Sequence, residues 1–392
     1  MSSTLLSGLA FDSAVECGNG VDFVEVEPGV IQFGLRPDTN GRDRQWFLFR
    51  VRGGRGRRVT FRLTGIQETN IPTHWKDACP VVGPGPDGPW GRAAGPCRVA
   101  DEDTWEFVAD LPFEETCIAF HHPYGYERLL RQLRKWKSHA SVSHEVIGRS
   151  IEGRDLDLLR VAEGPAGPNR LGVWVTCRQH AGESNANWFL DGFLQWILSD
   201  AAGALRRAAT INVVPMINPD GVVAGNYRLN AAGVNLNRVW NNPDARTSPE
   251  ILAVTGAVEK WVKAGNRYDF YIDLHGDSEA LACYAFQPGP TIKPAKYHNP
   301  HQYHADSRRY IGMVAARSFD FNPDEGIVET DDMGLSRQFM TFQYGVMAEL
   351  FEMGYSTVTY GPNAGLWLTP ERHAGIGRAA AEALSEYLIG GG

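Results

Sequence analysis

The chain has no CxxC pair, no apolar run long enough to span a membrane, no internal repeat at a solenoid period and no low-complexity tract. Each absence removes a class of protein. The six cysteines, at 17, 79, 97, 117, 177 and 283, lack the spacing of a zinc ribbon or a thioredoxin-type redox pair. Buried, reduced thiols are expected instead, with Cys79 and Cys97, which flank a Gly/Pro-rich loop, as the pair an oxidising compartment would join. Basic charge is also short. With 38 Lys and Arg against 46 Asp and Glu, the net charge is -8, which speaks against nucleic acid or an anionic membrane as partner. The start, Met1-Ser-Ser-Thr-Leu-Leu-Ser-Gly, carries neither the basic residues nor the apolar core of a secretory leader, so the expected location is the cytoplasm.

What remains is an ordinary globular composition, 43% hydrophobic and 21% charged over 392 residues, with a mean hydropathy of -0.29. That length predicts two domains, one of them large. Up to residue 117 the sequence reads as strands. Val21-Asp-Phe-Val-Glu-Val-Glu and Arg58-Val-Thr-Phe-Arg-Leu-Thr alternate apolar and polar residues, Gln45-Trp-Phe-Leu-Phe-Arg-Val-Arg lies between them, and Gly53-Gly-Arg-Gly56 and Pro84-Gly-Pro-Asp-Gly-Pro89 break the run. A small antiparallel β-sandwich over residues 1–117 is the natural outcome.

From 118 to 392 strand and helix patterns alternate. Tyr126 to Trp136, Ala186 to Leu198, Pro249 to Lys263 and Arg378 to Leu388 have helical spacing. Leu171 to Thr176, Thr210 to Ile217, Asp269 to Leu274 and Gly345 to Phe351 are apolar enough to be buried strands. This predicts an α/β domain whose polar sites gather at strand ends. Gly390 to Gly392 reads as a frayed end.

The chemistry follows those strands. Arg178-Gln-His180-Ala-Gly-Glu183 comes directly after one of them, and a His and a Glu three residues apart can converge on one cation. Asp273-Leu-His275-Gly-Asp277 closes another strand, with Asp273 or Asp277 available to orient the imidazole. Three such ligands leave a fourth position open, as a catalytic zinc requires. Between them stand the turn Asn218-Pro-Asp-Gly221, then Asn226-Tyr-Arg228 and Asn235-Leu-Asn237-Arg238. Two arginines and an asparagine suit a substrate carboxylate, which guanidinium binds through two parallel hydrogen bonds. His298, His301 and His304 form a second cluster, but Pro300 breaks helical stacking and a polar loop is expected there. Lys293, Lys296, Arg308 and Arg309 are basic residues that either meet acidic side chains or face solvent.

Taken in order, His180-x-x-Glu183, Asn218-Pro-Asp-Gly, Asn226-Tyr-Arg228, Asn237-Arg238, Asp273-Leu-His275-Gly-Asp and a late Glu resemble the zinc metallocarboxypeptidases, in particular their cytosolic carboxypeptidase-like branch. Pro123-Tyr-Gly-Tyr, Ile147-Gly-Arg-Ser-Ile-Glu-Gly-Arg-Asp-Leu-Asp and the N-terminal strands extend the resemblance over nearly the whole chain. The resemblance implies a mixed-sheet α/β domain with helices on both faces and Zn2+ held by His180, Glu183 and His275. It further implies Arg228 at the developing oxyanion, Asn237 and Arg238 on the C-terminal carboxylate of a peptide or protein tail, and a glutamate as general base. Ala348-Glu349-Leu-Phe-Glu352-Met-Gly-Tyr355 offers two such glutamates. Glu352 is the expected base, since it fits the branch pattern and lies nearer the strand end; Glu349, which fits the broader family's spacing, is the alternative. The chain departs from the branch at Ala181, where Pro is common, at Asn235, where Asp is usual, and at Gly354 in place of Pro. A deacylase or amidase on the same scaffold and an inactive binding protein share these motifs.

Overall fold

A computed structural model describes residues 4–85, 88–278, 282–359 and 361–390. Pro86 and Asp87 of the Gly/Pro-rich loop, and Gly391 and Gly392 at the end, lie outside the described residues.

The N-terminal unit is two packed sheets. One runs in the spatial order Thr4–Leu6, Leu9–Asp12, Leu48–Arg52, Glu115–Ala119, Val81–Gly83, Gly91–Arg92, and the other Val21–Glu27, Val30–Gly34, Arg57–Thr64, Thr104–Leu111, Cys97–Asp101. Alternation supplies the core, because Phe11, Phe33, Phe49, Phe61 and Phe107 point inward and meet ring to ring. One pairing departs from the antiparallel expectation: Val30–Gly34 runs parallel to Arg57–Thr64. The strand Glu115–Ala119 is the last of this unit, and the next element is the helix Tyr126–Lys137. Among the described residues all six cysteines are free.

The second unit is built on one eight-stranded sheet, ordered Val142–Arg149, Asp155–Val161, Ala209–Val214, Leu171–Cys177, Phe270–Gly276, Met347–Met353, Tyr284–Pro288, Ile327–Val328. Its four central strands are parallel, and the next strand on either side is antiparallel. A strand buried on both faces must be apolar throughout, which is why Leu171–Cys177 and Met347–Met353 carried so clear a sequence signal. Helices Ser184–Ile197, Tyr303–Ala315 and Pro370–Ile389 cover one face. Pro249–Lys263 and Ser336–Tyr344 cover the other around Trp174, Trp240 and Tyr271. The last helix starts at Pro370, behind the Thr369 cap, eight residues earlier than the apolar pattern from Arg378 suggested.

That pair is held unusually close. A Cβ on Gly192 would sit 1.9 Å from the carbonyl oxygen of Ala374, and one on Gly377 would sit 2.0 Å from that of Phe189. Helix Ser184–Ile197 therefore rests on backbone rather than on side chains, and its first turn follows directly on Glu183. Gly192→Ala should push the two helices apart and cost about 1–3 kcal/mol or more. Thermal unfolding checks this: a clearly lowered Tm is expected, and an unchanged Tm would show that the contact is softer than described.

Candidate metal centre and substrate cavity

Sheet order reverses around Leu171–Cys177, whose neighbours are Ala209–Val214 on one side and Phe270–Gly276 on the other. Loops leaving the carboxyl ends of such strands part and open a crevice. His180, Glu183, Arg228, Asn237, Arg238, His275 and Glu352 all line that crevice.

The loop that carries His180 is fastened from several directions. Arg178 turns the chain with φ at 63°, and its buried guanidinium donates to the Ala181 carbonyl at 2.8 Å and to Asn187 Oδ1 at 2.7 Å. Asn218 of the Asn-Pro-Asp-Gly turn accepts from Gly221 N and donates from Nδ2 to the Gln179 and Leu229 carbonyls. The motif is therefore more than a turn, since it ties the His180 loop to the segment bearing Arg228. From the N-terminal side, His121 Nε2 lies 3.2 Å from the Gly182 carbonyl oxygen, and its Nδ1 lies 3.2 Å from Ser184 Oγ.

His180, Glu183 and His275 meet in this buried place. Glu183 Oε1 lies 2.7 Å from His180 Nδ1 and Oε2 lies 2.9 Å from His275 Nδ1, and the two Nδ1 atoms are 3.2 Å apart. The outer nitrogens show which ring atoms carry protons. Asn235 Oδ1 accepts from the Asn237 amide, so it is an oxygen, and His180 Nε2 at 3.0 Å must be its second donor. His275 Nε2 faces Asp273 Oδ2 at 3.1 Å, a carboxylate also held by Thr176, Gln179 and Ser336. With their protons directed outward, both Nδ1 atoms and the Glu183 carboxylate turn lone pairs toward one point.

Such a cluster needs a positive charge. Burial drives His180 down to about 4. Burial opposes charge on His275 as well, but Asp273 and Glu183 together hold its imidazolium well above the usual range. In the metal-free chain a proton answers the demand; a divalent cation answers it better and displaces that proton. The 3.2 Å between the two Nδ1 atoms fits zinc, whose tetrahedral bonds of about 2.0–2.1 Å keep ligand atoms roughly 3.3 Å apart, and the two contacts to Glu183 are shorter. Among the described residues this is the one group of three metal-type donors within 4.8 Å of one another.

A cavity of about 380 Å³ opens over the cluster and is lined by Arg228, Asn237, Arg238 and Glu352 as well. Register explains the choice between the glutamates: Glu352 pairs with His275 across the sheet, whereas Glu349 pairs with Ile272 and points to the opposite face, towards Tyr303 and Tyr310. Burial pushes the Glu352 carboxyl well above the usual range, reinforced by Glu183 and Asp277 and opposed by His275 and Arg228. Burial pushes Glu349 up to about 8, with the Ser307 hydroxyl and the charge of Arg337 opposing. Arg337 donates to the Phe286 carbonyl at 2.6 Å and lines the cavity. Asp277 accepts from Tyr284 and leaves the imidazole to Asp273. His304 bonds the Pro288 carbonyl, and His298 stands 3.9 Å from Asp306, outside the cavity.

Comparison with known proteins agrees with this geometry. A model of the zinc carboxypeptidases matches residues 126–355, and one of the cytosolic carboxypeptidase N-terminal domain matches residues 11–121. The chain belongs to the zinc carboxypeptidase family. It is 33% identical to cytosolic carboxypeptidase 2 of Danio rerio over 69% of its own length, but spans only 41% of that longer protein. Among solved structures, a metallo-carboxypeptidase of Burkholderia cenocepacia is 29% identical with a TM-score of 0.86, covering 97% of this chain and 98% of that one. One from Pseudomonas aeruginosa, bound to (2-guanidinoethylmercapto)succinic acid, is 27% identical with a TM-score of 0.86, covering 96% and 99%.

Zinc carboxypeptidases of this kind should carry one zinc per chain. Elemental analysis of His180→Ala should find almost none. Asp273→Ala should fold and bind zinc about 10–100 times more weakly in chelator competition, because the imidazole loses its orienting carboxylate. Full zinc in the His180 variant would contradict the ligand set.

Proposed function

We propose that the protein is a zinc-dependent exopeptidase that releases the last residue of peptides or protein tails. The observation that carries this reading is the single cavity shared by the His180, Glu183 and His275 cluster, Glu352, Arg228 and the Asn237–Arg238 pair. Zinc held by the cluster supplies a Lewis acid that polarises the scissile carbonyl and makes water easier to deprotonate.

The chain's own residues do the rest. Asn237 has its Oδ1 committed to the Ser336 amide and its Nδ2 3.4 Å from His275 Nε2, which leaves one Nδ2 proton for a substrate, and Arg238 is braced by a 2.6 Å bond from Nη1 to the Asn237 carbonyl. Burial and the neighbouring Arg228 lower the pKa of Arg238, so this end of the cavity calls for an anion. A peptide's terminal carboxylate answers that need and sets the last peptide bond over the cluster. Glu352 takes the proton from the attacking water and returns it to the leaving amine. Arg228 meets the negative charge that develops on the carbonyl oxygen.

The far wall consists of Phe286, Val328, Leu335 and Leu350 with the buried guanidinium of Arg337 among them. It donates to the Phe286 carbonyl, and among the described residues no ion pair joins it to a carboxylate, though the charge of the buried Glu349 acts on it. We read this as a pocket for a terminal side chain with an apolar stem and an acidic head. The succinate of the Pseudomonas ligand, a dicarboxylate, is consistent with anion binding in that relative. We also read the protein as cytoplasmic, after the names of its cytosolic relatives. No helix of the described residues is long and apolar enough to cross a membrane. A deacylase would keep the same cluster; an inactive binding module would have no use for Glu352.

One assay on peptides that differ only in their last residue tests these roles. Wild type should favour Glu and Asp ends; Glu352→Gln should keep zinc and fold yet lose about 10²- to 10⁴-fold in turnover on every peptide. Glu349→Gln should stay active. Because Glu349 has its pKa raised on folding, wild type loses stability relative to that variant as pH rises from 4.5 through about 8. Activity lost in the Glu349 variant and kept in the Glu352 variant would reverse the assignment, and equal rates on Glu and Leu ends would remove the acidic pocket.

A further inference from the structure

Arg228 lacks a brace of its own. It lines the cavity, yet among the described residues no hydrogen bond or ion pair holds its guanidinium. Its aim is therefore set by its backbone. The three consecutive amides of Tyr227, Arg228 and Leu229 do not bond within the catalytic unit. They donate to one carboxylate from the other unit, Asp38, at 2.5, 2.7 and 2.8 Å.

The rest of the turn is gripped around that carboxylate. Thr39 donates from N and Oγ1 to Asn226 Oδ1, Asn40 Nδ2 donates to the Ala231 carbonyl, and Asn19 Nδ2 donates to the Gly225 carbonyl. Asp38 is itself fixed, since its amide donates to the Asp43 carbonyl at 2.7 Å and its carbonyl accepts from Gly41 N at 3.0 Å. On the opposite side the Tyr227 carbonyl accepts from Gly182 N at 2.6 Å, inside the loop that carries His180 and Glu183. The turn thus lies between the metal loop and a clamp supplied by the β-sandwich.

We propose that Asp38 is a positioning residue for Arg228, so that the N-terminal unit sets the catalytic geometry without touching substrate. A three-amide carboxylate is a rigid fastener, because each buried N–H left unpaired carries a desolvation cost. Its loss would free the turn to shift, and a shift of about 1 Å at a charge-stabilising group can cost on the order of 10²-fold in rate. The inference rests on the role given to Arg228 above.

The test is a double-mutant cycle on the full chain. Asp38→Asn keeps the shape but turns an amide N–H₂ toward amide donors. In zinc-loaded protein it should lower kcat by about 10- to 100-fold with KM changed less than about threefold. It should also weaken inhibition by a peptide phosphonate, whose tetrahedral anion mimics the developing charge, while leaving inhibition by the released amino acid unchanged. Arg228→Ala alone should cost about 10²- to 10³-fold. In that background Asp38→Asn should cost almost nothing more, because the side chain it positions is gone. Should Asp38→Asn fail to fold or to hold zinc, Asp38→Glu, which keeps the charge and displaces the carboxylate, enters the same cycle.

An Asp38 variant with wild-type kcat, or one whose loss recurs in full without Arg228, overturns the proposal. An Arg228→Ala variant with normal turnover counts against the role of Arg228 itself. The two failures are therefore distinguishable.

Discussion

Three electron-rich groups meet at the buried floor of the cavity: Nδ1 of His180, Nδ1 of His275 and the carboxylate of Glu183. Their protons are directed outward, to Asn235 and Asp273, so the cluster repels itself unless a cation sits within it. Much of the surrounding structure can be understood as the means of holding this unfavourable arrangement still. Central parallel strands supply rigid ends, and the reversal of strand order opens the crevice. The buried Arg178 and Asn218 and the glycine contact between two helices fix the loop and helix from which the ligands project.

The β-sandwich is part of that means. It places Asp38 under the Arg228 turn, Arg92 against the Tyr355 and Leu368 carbonyls at 3.3 and 3.1 Å, and Ile71 in the cavity wall. An isolated catalytic unit would leave the three amides of the turn to solvent, with no carboxylate to fix them. This gives a physical reason for the two units to occur in one chain.

Much of this was legible in the sequence because buried parallel strands must be apolar and each ligand stands directly after one. The helix Pro249–Lys263 was read to its last residue, since Pro249 and the apolar stripe mark it on both sides. Glu352 was preferred over Glu349 in sequence, where two glutamates three positions apart on a strand must face opposite ways, and the register puts Glu352 beside His275. Asp38 left no signal at all. It lies 189 to 191 residues from the amides it binds, in a Pro-Asp-Thr-Asn stretch that reads as any surface turn. The role of Asn235 was equally hidden; it looked like a lost carboxylate, and only the Asn237 amide shows that its oxygen directs the proton of His180.

The central claim is that a zinc held by this cluster cuts next to a carboxylate held by Arg238. It is tested most directly by following one peptide and its C-terminally amidated twin by mass spectrometry, using chelated protein titrated back with zinc. The account predicts that shortening of the free peptide, one residue at a time from the C-terminus, returns in step with zinc up to one equivalent per chain, while the amidated twin remains intact. Equal cleavage of both peptides, internal cleavage, or full activity in the chelated protein would contradict it.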